Sequence, residues 1–221
     1  MASSTRIRCT VAAATASAQV AWTDWTSAGT NTASGMLSFG GQMVGVTYSG
    51  PYTFVQTSAV NATNYWLPNV YTGPGVPNAP TTTDIVALST GGTKTITFST
   101  PVVNPLLALV SWNGQANVTF GGPIQLVATG GSGNCGFWGC GSFVVNGNAL
   151  TANGEAHGTI RLVGTYSSIT FVDATENWHG FTVGAEGVAT TNVIPEPSTY
   201  ALMATGLVGT LVAARRRRNR A

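Results

Sequence analysis

The sequence predicts an all-β fold: a two-sheet antiparallel β-sandwich of jelly-roll type, with one apolar helix at the C-terminus. Three observations predict it. Charged residues make up only 7% of the 221 residues, against roughly 25% in an average soluble protein. Gly, Thr, Val, Ser and Asn take their place, and all are poor helix formers. Short apolar or alternating segments recur between Gly, Asn and Pro, at the roughly 8–12 residue spacing of sandwiches and barrels. Finally, the middle of the chain has no helical stretch to carry crossovers, which disfavours a parallel sheet.

Met1–Ala18 reads as a secretory signal peptide. Arg6 and Arg8 form a positive n-region, Cys9–Ala16 a short weakly apolar stretch, and Ala16-Ser17-Ala18 offers small residues for cleavage before Gln19. Strands are then expected at Met36–Phe39, Met43–Tyr48 and Tyr52–Thr57. Leu67–Pro80 carries Pro68, Pro74, Pro77 and Pro80 and reads as a long surface loop. Asp84–Leu88 and Thr93–Phe98 are expected to pair across Gly91-Gly92, and Leu106–Trp112 with Ala116–Phe120 across Asn113-Gly114. Ile124–Thr129, Ser142–Val145, Thr159–Val163, Ile169–Asp173 and Gly180–Val183 complete the series, with Asn146-Gly147 as a further turn. The segments Trp22–Trp25 and Trp178–Val183 suggest that the first and last strands meet.

The C-terminus has three parts. Pro195-Glu196-Pro197 is a stiff extended linker, because each proline fixes φ and biases its predecessor away from helix. Tyr200–Ala214 is an apolar helix of about 15 residues, roughly 23 Å long against a hydrocarbon core of about 30 Å. Bilayer thinning and snorkelling arginine stems make up the difference. Arg215, Arg216, Arg217 and Arg218 then act as a stop-transfer cluster and place that end in the cytoplasm.

This run, from Val193 through Ile194-Pro195-Glu196-Pro197-Ser198-Thr199 and the apolar helix to Arg220, closely resembles the PEP-CTERM sorting signal of Gram-negative bacteria. The same segment also goes by the name of an ice-binding protein C-terminal domain. The resemblance implies export, transient membrane anchoring, and recognition or cleavage by an exosortase near Pro195-Glu196-Pro197. It also implies a producer of extracellular polysaccharide or biofilm matrix. The expected organisation is a signal peptide at 1–18, an extracellular β-sandwich at 19–192, and a sorting signal with its transmembrane helix at 193–221. What the β-domain does must be read from the domain itself.

Charge placement excludes one class of partner. Seven of the nine basic residues sit at the two ends, so residues 19–192 hold only Lys94 and Arg161 against six acidic side chains, a net −4. No basic patch exists there to hold a nucleic-acid backbone. Without Cys9, the chain keeps Cys135 and Cys140, an even count in an oxidising compartment, and a disulfide is expected between them. Phe137 and Trp138 at the tip of that loop serve either as a ligand platform or as core.

Glu155, His157, Asp173, Glu176 and His179 form the main concentration of titratable groups. A glycosidase would need two carboxylates flanking a bond, drawn from Glu155 with Asp173 or Glu176. Solvated turn and strand-end residues are the plainer expectation. No nucleophile elbow, zinc-protease helix or phosphate loop occurs. Asp24 and Asp173 are conceivable Ca²⁺ ligands, but no cofactor or metal set is assigned. Thr93, Thr95 and Thr97 share one face of a strand. An ice-binding surface would need that pattern on several stacked strands, so solvent-facing threonines are expected. The expected function is a non-enzymatic surface or matrix protein associated with polysaccharide. A secreted hydrolase and an ice-binding protein are the alternatives.

Overall fold

The computed structural model describes residues 19–57, 61–114, 118–131 and 133–189. The signal peptide read at Met1–Ala18 lies outside the described residues, as do Pro195-Glu196-Pro197, the Tyr200–Ala214 helix and Arg215–Arg218. Among the described residues every element is a strand: β1 (Ala21–Trp22), β2 (Asp24–Gly29), β3 (Thr32–Phe39), β4 (Gln42–Ser49), β5 (Phe54–Gln56), β6 (Ile85–Leu88) and β7 (Gly92–Trp112). There follow β8 (Val118–Phe120), β9 (Ile124–Thr129), β10 (Ser142–Asn146), β11 (Ala149–Asn153), β12 (Ala156–Leu162), β13 (Thr165–Asp173) and β14 (His179–Val188). All strand pairings are antiparallel and join into one large sheet.

The axis of that sheet is β7, 21 residues long. Its first part pairs with β4 on one side (Val46↔Phe98) and β13 on the other (Ile169↔Ile96). Its second part pairs with β12 (Ile160↔Leu107) and β14 (Phe181↔Leu109). Two wings therefore share one strand. Pro101 falls where β13 jumps register, from Ser168↔Thr97 to Tyr166↔Val102, so its missing N–H costs no ladder bond to β13. The sequence reading divided this stretch into two strands at the prolines, and the structure keeps it whole.

Both glycine turns expected after β6 and β7 are corrected. Strand β6 pairs with β14 and β5, and β7 with β4, β12, β13 and β14. Likewise β8 pairs with β11 and β13. A turn dipeptide permits a hairpin, but it cannot outbid the larger apolar faces that β13 and β14 offer to β7. The Asn146-Gly147 turn does close a hairpin, with Asn146↔Ala149 paired and Gly147 at a φ of +64° that side-chain-bearing residues rarely adopt. The first and last strands meet, with Trp22↔Gly184 in register and Trp25 Nε1 donating to Thr182 Oγ1 at 3.1 Å.

Alternation along the strands builds the main core. Leu37, Val46, Tyr48, Ile96 and Phe98 from one wing share a cluster with Leu107, Leu109, Ile160, Phe181 and Val183 from the other. The opposite phase of β7, Leu106, Ala108 and Val110, belongs to a second core with Ile85, Trp66, Val70, Tyr71 and Val76. Both faces of this part of β7 are thus buried, which accounts for its unbroken apolar run. The proline-rich segment 67–80 is consequently a cover rather than a free surface loop. Prolines keep it from joining the ladder, yet its apolar side chains still gain about 25 cal/mol per Å² by leaving water. Thr159 Oγ1 donates to Tyr71 O at 2.9 Å and Trp66 Nε1 to Asp84 O at 3.2 Å, which fix the cover in place.

Outside the core, Ser34, Thr47, Thr97 and Ser168 stand in one cross-strand row, and Thr32, Ser49, Thr95 and Thr170 in the next. Hydroxyl residues therefore span four strands, not the single strand expected.

Candidate functional site

A buried charged chain lies behind the site. Lys94 occupies the inward phase of β7 with Ile96 and Phe98, and its Nζ sits 2.5 Å from Asp173 Oδ1, both side chains fully buried. The same ammonium donates to Thr90 O at 2.6 Å and Gly92 O at 3.4 Å, so its three protons have acceptors. Asp173 Oδ2 lies 2.9 Å from His179 Nε2, and His179 Nδ1 faces Glu176 Oε2 at 3.5 Å. The edge of Trp112 meets the imidazole at 4.8 Å. Burying such a pair is costly unless its lone pairs and protons are met; the Lys94 protons and both Asp173 oxygens are met, while His179 Nδ1 has the 3.5 Å contact to Glu176 and no hydrogen bond.

Glu176 carries this chain to an open cavity of about 330 Å³ lined by Ser111, Asn113, Trp138, Glu155, Glu176, Asn177 and Trp178. Ser111 lies near the end of β7 at a φ of +58°, within a bulge where Val110 and Ser111 together stand against His157 of β12. Bulges re-aim side chains, and this one turns Ser111 so that its hydroxyl donates to Glu155 Oε1. The Ser111 N–H donates to His157 Nδ1 at 3.2 Å. His157 is buried, and burial pushes its pKa down to about 4, against a smaller opposing pull from Glu155. It is therefore a neutral acceptor. Across the cavity, the Asn113 N–H donates to Glu176 Oε1 at 2.6 Å.

The aromatic wall comes from the cysteine loop. Cys135 and Cys140 are joined by a disulfide with their Cα atoms 4.0 Å apart. Glycine lets this loop lie flat on the start of β12: a Cβ on Gly136 would come within 2.1 Å of the His157 ring, and one on Gly139 within 2.6 Å of Glu155 Cβ. Pressed down in this way, the loop presents Trp138 half exposed (50%) and Phe137 at 38%. Trp138 meets Trp178 edge-on at 4.6 Å, and Tyr65 packs at 5.2 Å from Trp178 and 5.5 Å from Trp138.

Of the residues singled out by sequence, Glu155 and Glu176 line one cavity. Asp173 does not. Its oxygens are engaged by Lys94 and His179 in the interior, which removes it from the carboxylate pair with Glu155. That engagement also speaks against a Ca²⁺ site shared with Asp24, which lies on the exposed side of β2. Among the described residues no group of three or more His, Cys, Asp or Glu is placed to hold a metal ion. Sequence reasoning missed Lys94, Ser111, Tyr65 and Trp178 as parts of the site. For Lys94 the signal existed, since alternation with Ile96 and Phe98 points it inward. For Ser111 there was none, because a bulge sets its direction.

Comparison with known proteins bears on the C-terminus. Residues 193–218 match the family model of the PEP-CTERM protein-sorting motif. No curated protein matches the chain. Among solved structures, the catalytic domain of a GH87 alpha-1,3-glucanase in complex with tetrasaccharides shares 15% identity at a TM-score of 0.25, over 52% of this chain and 24% of that one. The same catalytic domain in complex with nigerose shares 16% at a TM-score of 0.24, over the same shares. The chain thus spans about a quarter of those structures, and a likeness this distant carries no argument.

Proposed function

We propose that this chain, which carries a PEP-CTERM sorting motif and so is exported through exosortase-dependent sorting, is a non-enzymatic surface or matrix protein that holds extracellular polysaccharide. Its two wings act as the layers of a sandwich, and the cavity between the cysteine loop and the turn before β14 takes the glycan. The carrying observation is the aromatic wall: Trp138 and Trp178 border a polar cavity, with Trp138 half exposed. Indole faces bind the apolar C–H faces of sugar rings, while Asn113, Asn177, Glu155 and Glu176 meet the hydroxyls.

Titration of the purified protein with soluble polysaccharide, followed by tryptophan fluorescence or calorimetry, tests this. Trp138→Ala is expected to weaken binding at least about tenfold, in line with a loss of roughly 2 kcal/mol for a hot-spot aromatic, with an unchanged melting temperature. A variant that binds like the parent sinks the proposal. A second reading has one observation in its favour: Glu155 and Glu176 line the same cavity, and glycosidic cleavage needs two carboxylates. Reducing ends released on incubation, and lost in Glu176→Gln, would decide for the hydrolase.

Sorting is proposed to proceed by cleavage near Pro195-Glu196-Pro197, with the Tyr200–Ala214 helix as transient anchor. Replacing those three residues by alanine is expected to leave a membrane-bound precursor in a host that has the exosortase. Product of mature size, released normally, would remove this step.

A further inference from the structure

We infer that the domain carries a second glycan site, at a cavity of about 250 Å³ beside β13, and that this site takes an uncharged polysaccharide. The inference shares its ligand class with the proposed function and rests on a different place in the fold. Gly121, Leu162, Tyr166, Ser168, Ile169 and Thr170 line this cavity, and none of them lines the cavity at Trp138.

Alternation along β13 sends Ile169 into the main core, where Leu162 is buried as well. What remains for a ligand is the Tyr166 ring, the Ser168 and Thr170 hydroxyls and the backbone at Gly121. The half-buried ring is held in place. Its hydroxyl donates to Val163 O at 3.3 Å, and the ring lies against two glycines. A Cβ on Gly122 would come within 2.9 Å of Tyr166 Oη, and one on Gly164 within 3.6 Å of Cε2. A ring fixed in this way stacks on a sugar without first losing rotamer freedom. Neither the Ser168 nor the Thr170 hydroxyl takes part in a hydrogen bond among the described residues, so each can donate to and accept from a sugar hydroxyl.

Two rows of hydroxyls lead away from the cavity. From Ser168 the row continues across Thr97, Thr47 and Ser34 to Ser27 of β2, and from Thr170 across Thr95 and Ser49 to Thr32. Neighbouring strands stand about 4.8 Å apart, close to the length of one sugar residue, so a chain seated in the cavity can continue over the rows. Neither row holds a charged residue, and neither does the cavity lining. The two cations of residues 19–192 are engaged elsewhere, Lys94 with Asp173 and Arg161 with Glu186. A uronate or sulfated polymer therefore finds no counter-charge here, and an amine polymer finds no carboxylate. A neutral chain needs neither, and it is the ligand that this lining matches.

The test is calorimetric titration of the purified full-length protein with a neutral oligoglucan. An oligouronate and a glucosamine oligomer of equal length serve as charged controls. Two sites per chain are expected for the neutral oligomer. Tyr166→Ala should weaken one of them at least about tenfold and leave the other, and Trp138→Ala should do the reverse. At the Tyr166 site both charged oligomers should bind at least about tenfold more weakly than the neutral one. A single site indifferent to Tyr166→Ala would overturn the inference and leave the proposed function standing. A Tyr166-dependent site that takes either charged oligomer as tightly as the neutral one would also overturn it. A single site lost in Tyr166→Ala and kept in Trp138→Ala would uphold the inference and remove the Trp138 cavity from the proposed function. If no oligomer binds, both fall together. Should Tyr166→Ala fail to fold, Ser168→Glu adds length and charge at an exposed lining position. Two sites of parental affinity in that variant would overturn the inference.

Discussion

Asp173 and Glu176 are the same kind of group, three positions apart, and the fold puts them to opposite uses. Asp173 ends β13 on the inward phase, where both its oxygens are taken by Lys94 and His179. Glu176 follows in the turn, touches the same His179 from the other side, and opens onto the cavity. The difference is the cavity, which Glu176 lines and Asp173 does not. A carboxylate cut off from water must be neutralised by a partner, so its chemistry is spent on holding the sheet together. One that lines a cavity stands where a ligand can reach it. In this domain a cluster of titratable residues in the sequence is therefore two objects, an interior ion pair and an open site, separated by one imidazole.

The largest expected effect breaks the inner object. Lys94→Met keeps the side-chain volume but leaves Asp173 buried without its cation, and should cost about 3–5 kcal/mol in chemical denaturation. A loss below about 1 kcal/mol would show that Asp173 is not held by charge, and the contrast with Glu176 would collapse.

Next comes acid. The His157 pKa is lowered from 6.5 to about 4 by burial, so the unfolded chain takes up the proton first. Its contribution is complete above about pH 6.5 and is lost as the pH falls toward 4, by roughly 3 kcal/mol at 1.4 kcal/mol per unit. Stability measured across that range in the parent and in His157→Gln should differ in slope. Equal slopes would mean that His157 is wetter than its packing against Gly136 implies.

The smallest effect sharpens the outer object. Replacing Cys135 and Cys140 by serine should cost about 2 kcal/mol through the freedom of the unfolded loop, and should loosen Trp138 over the cavity. Glycan affinity is expected to fall along with it, while Lys94→Met, where it folds, keeps its affinity per folded molecule. If serine replacement lowers stability and leaves affinity intact, the loop is positioned by Gly136 and Gly139 alone.

Much of the fold was legible in the chain. Period-two alternation located most strands, and the shortage of Glu, Lys and Arg at helical spacing excluded helices from the middle. The partners of those strands were not legible. Gly91-Gly92 and Asn113-Gly114 are hairpin signals by local chemistry, yet β6 and β8 pair elsewhere. A turn contributes only locally, whereas β7 gains two long apolar neighbours at each end. The site was half legible: Glu155, Glu176 and the cysteine loop were visible as residue types, but their convergence on Trp178 and Ser111 was not.

By itself the sequence determined the all-β class, the positions of most strands, and the C-terminal address, because each is a property of neighbours along the chain. A sorting motif is read by residue identity within 26 consecutive positions, 193–218, so no long-range contact is needed to recognise it. Only the tertiary structure decided that β7 is shared between two wings, that Leu67–Pro80 covers a second core, and that Asp173 closes into the interior while Glu176 lines the cavity. Those outcomes depend on which apolar faces meet across 50 to 160 residues of chain, as Thr23 does with Val183 and Lys94 with Asp173. Burial then assigns each charge its role, and burial is a property of the packed whole.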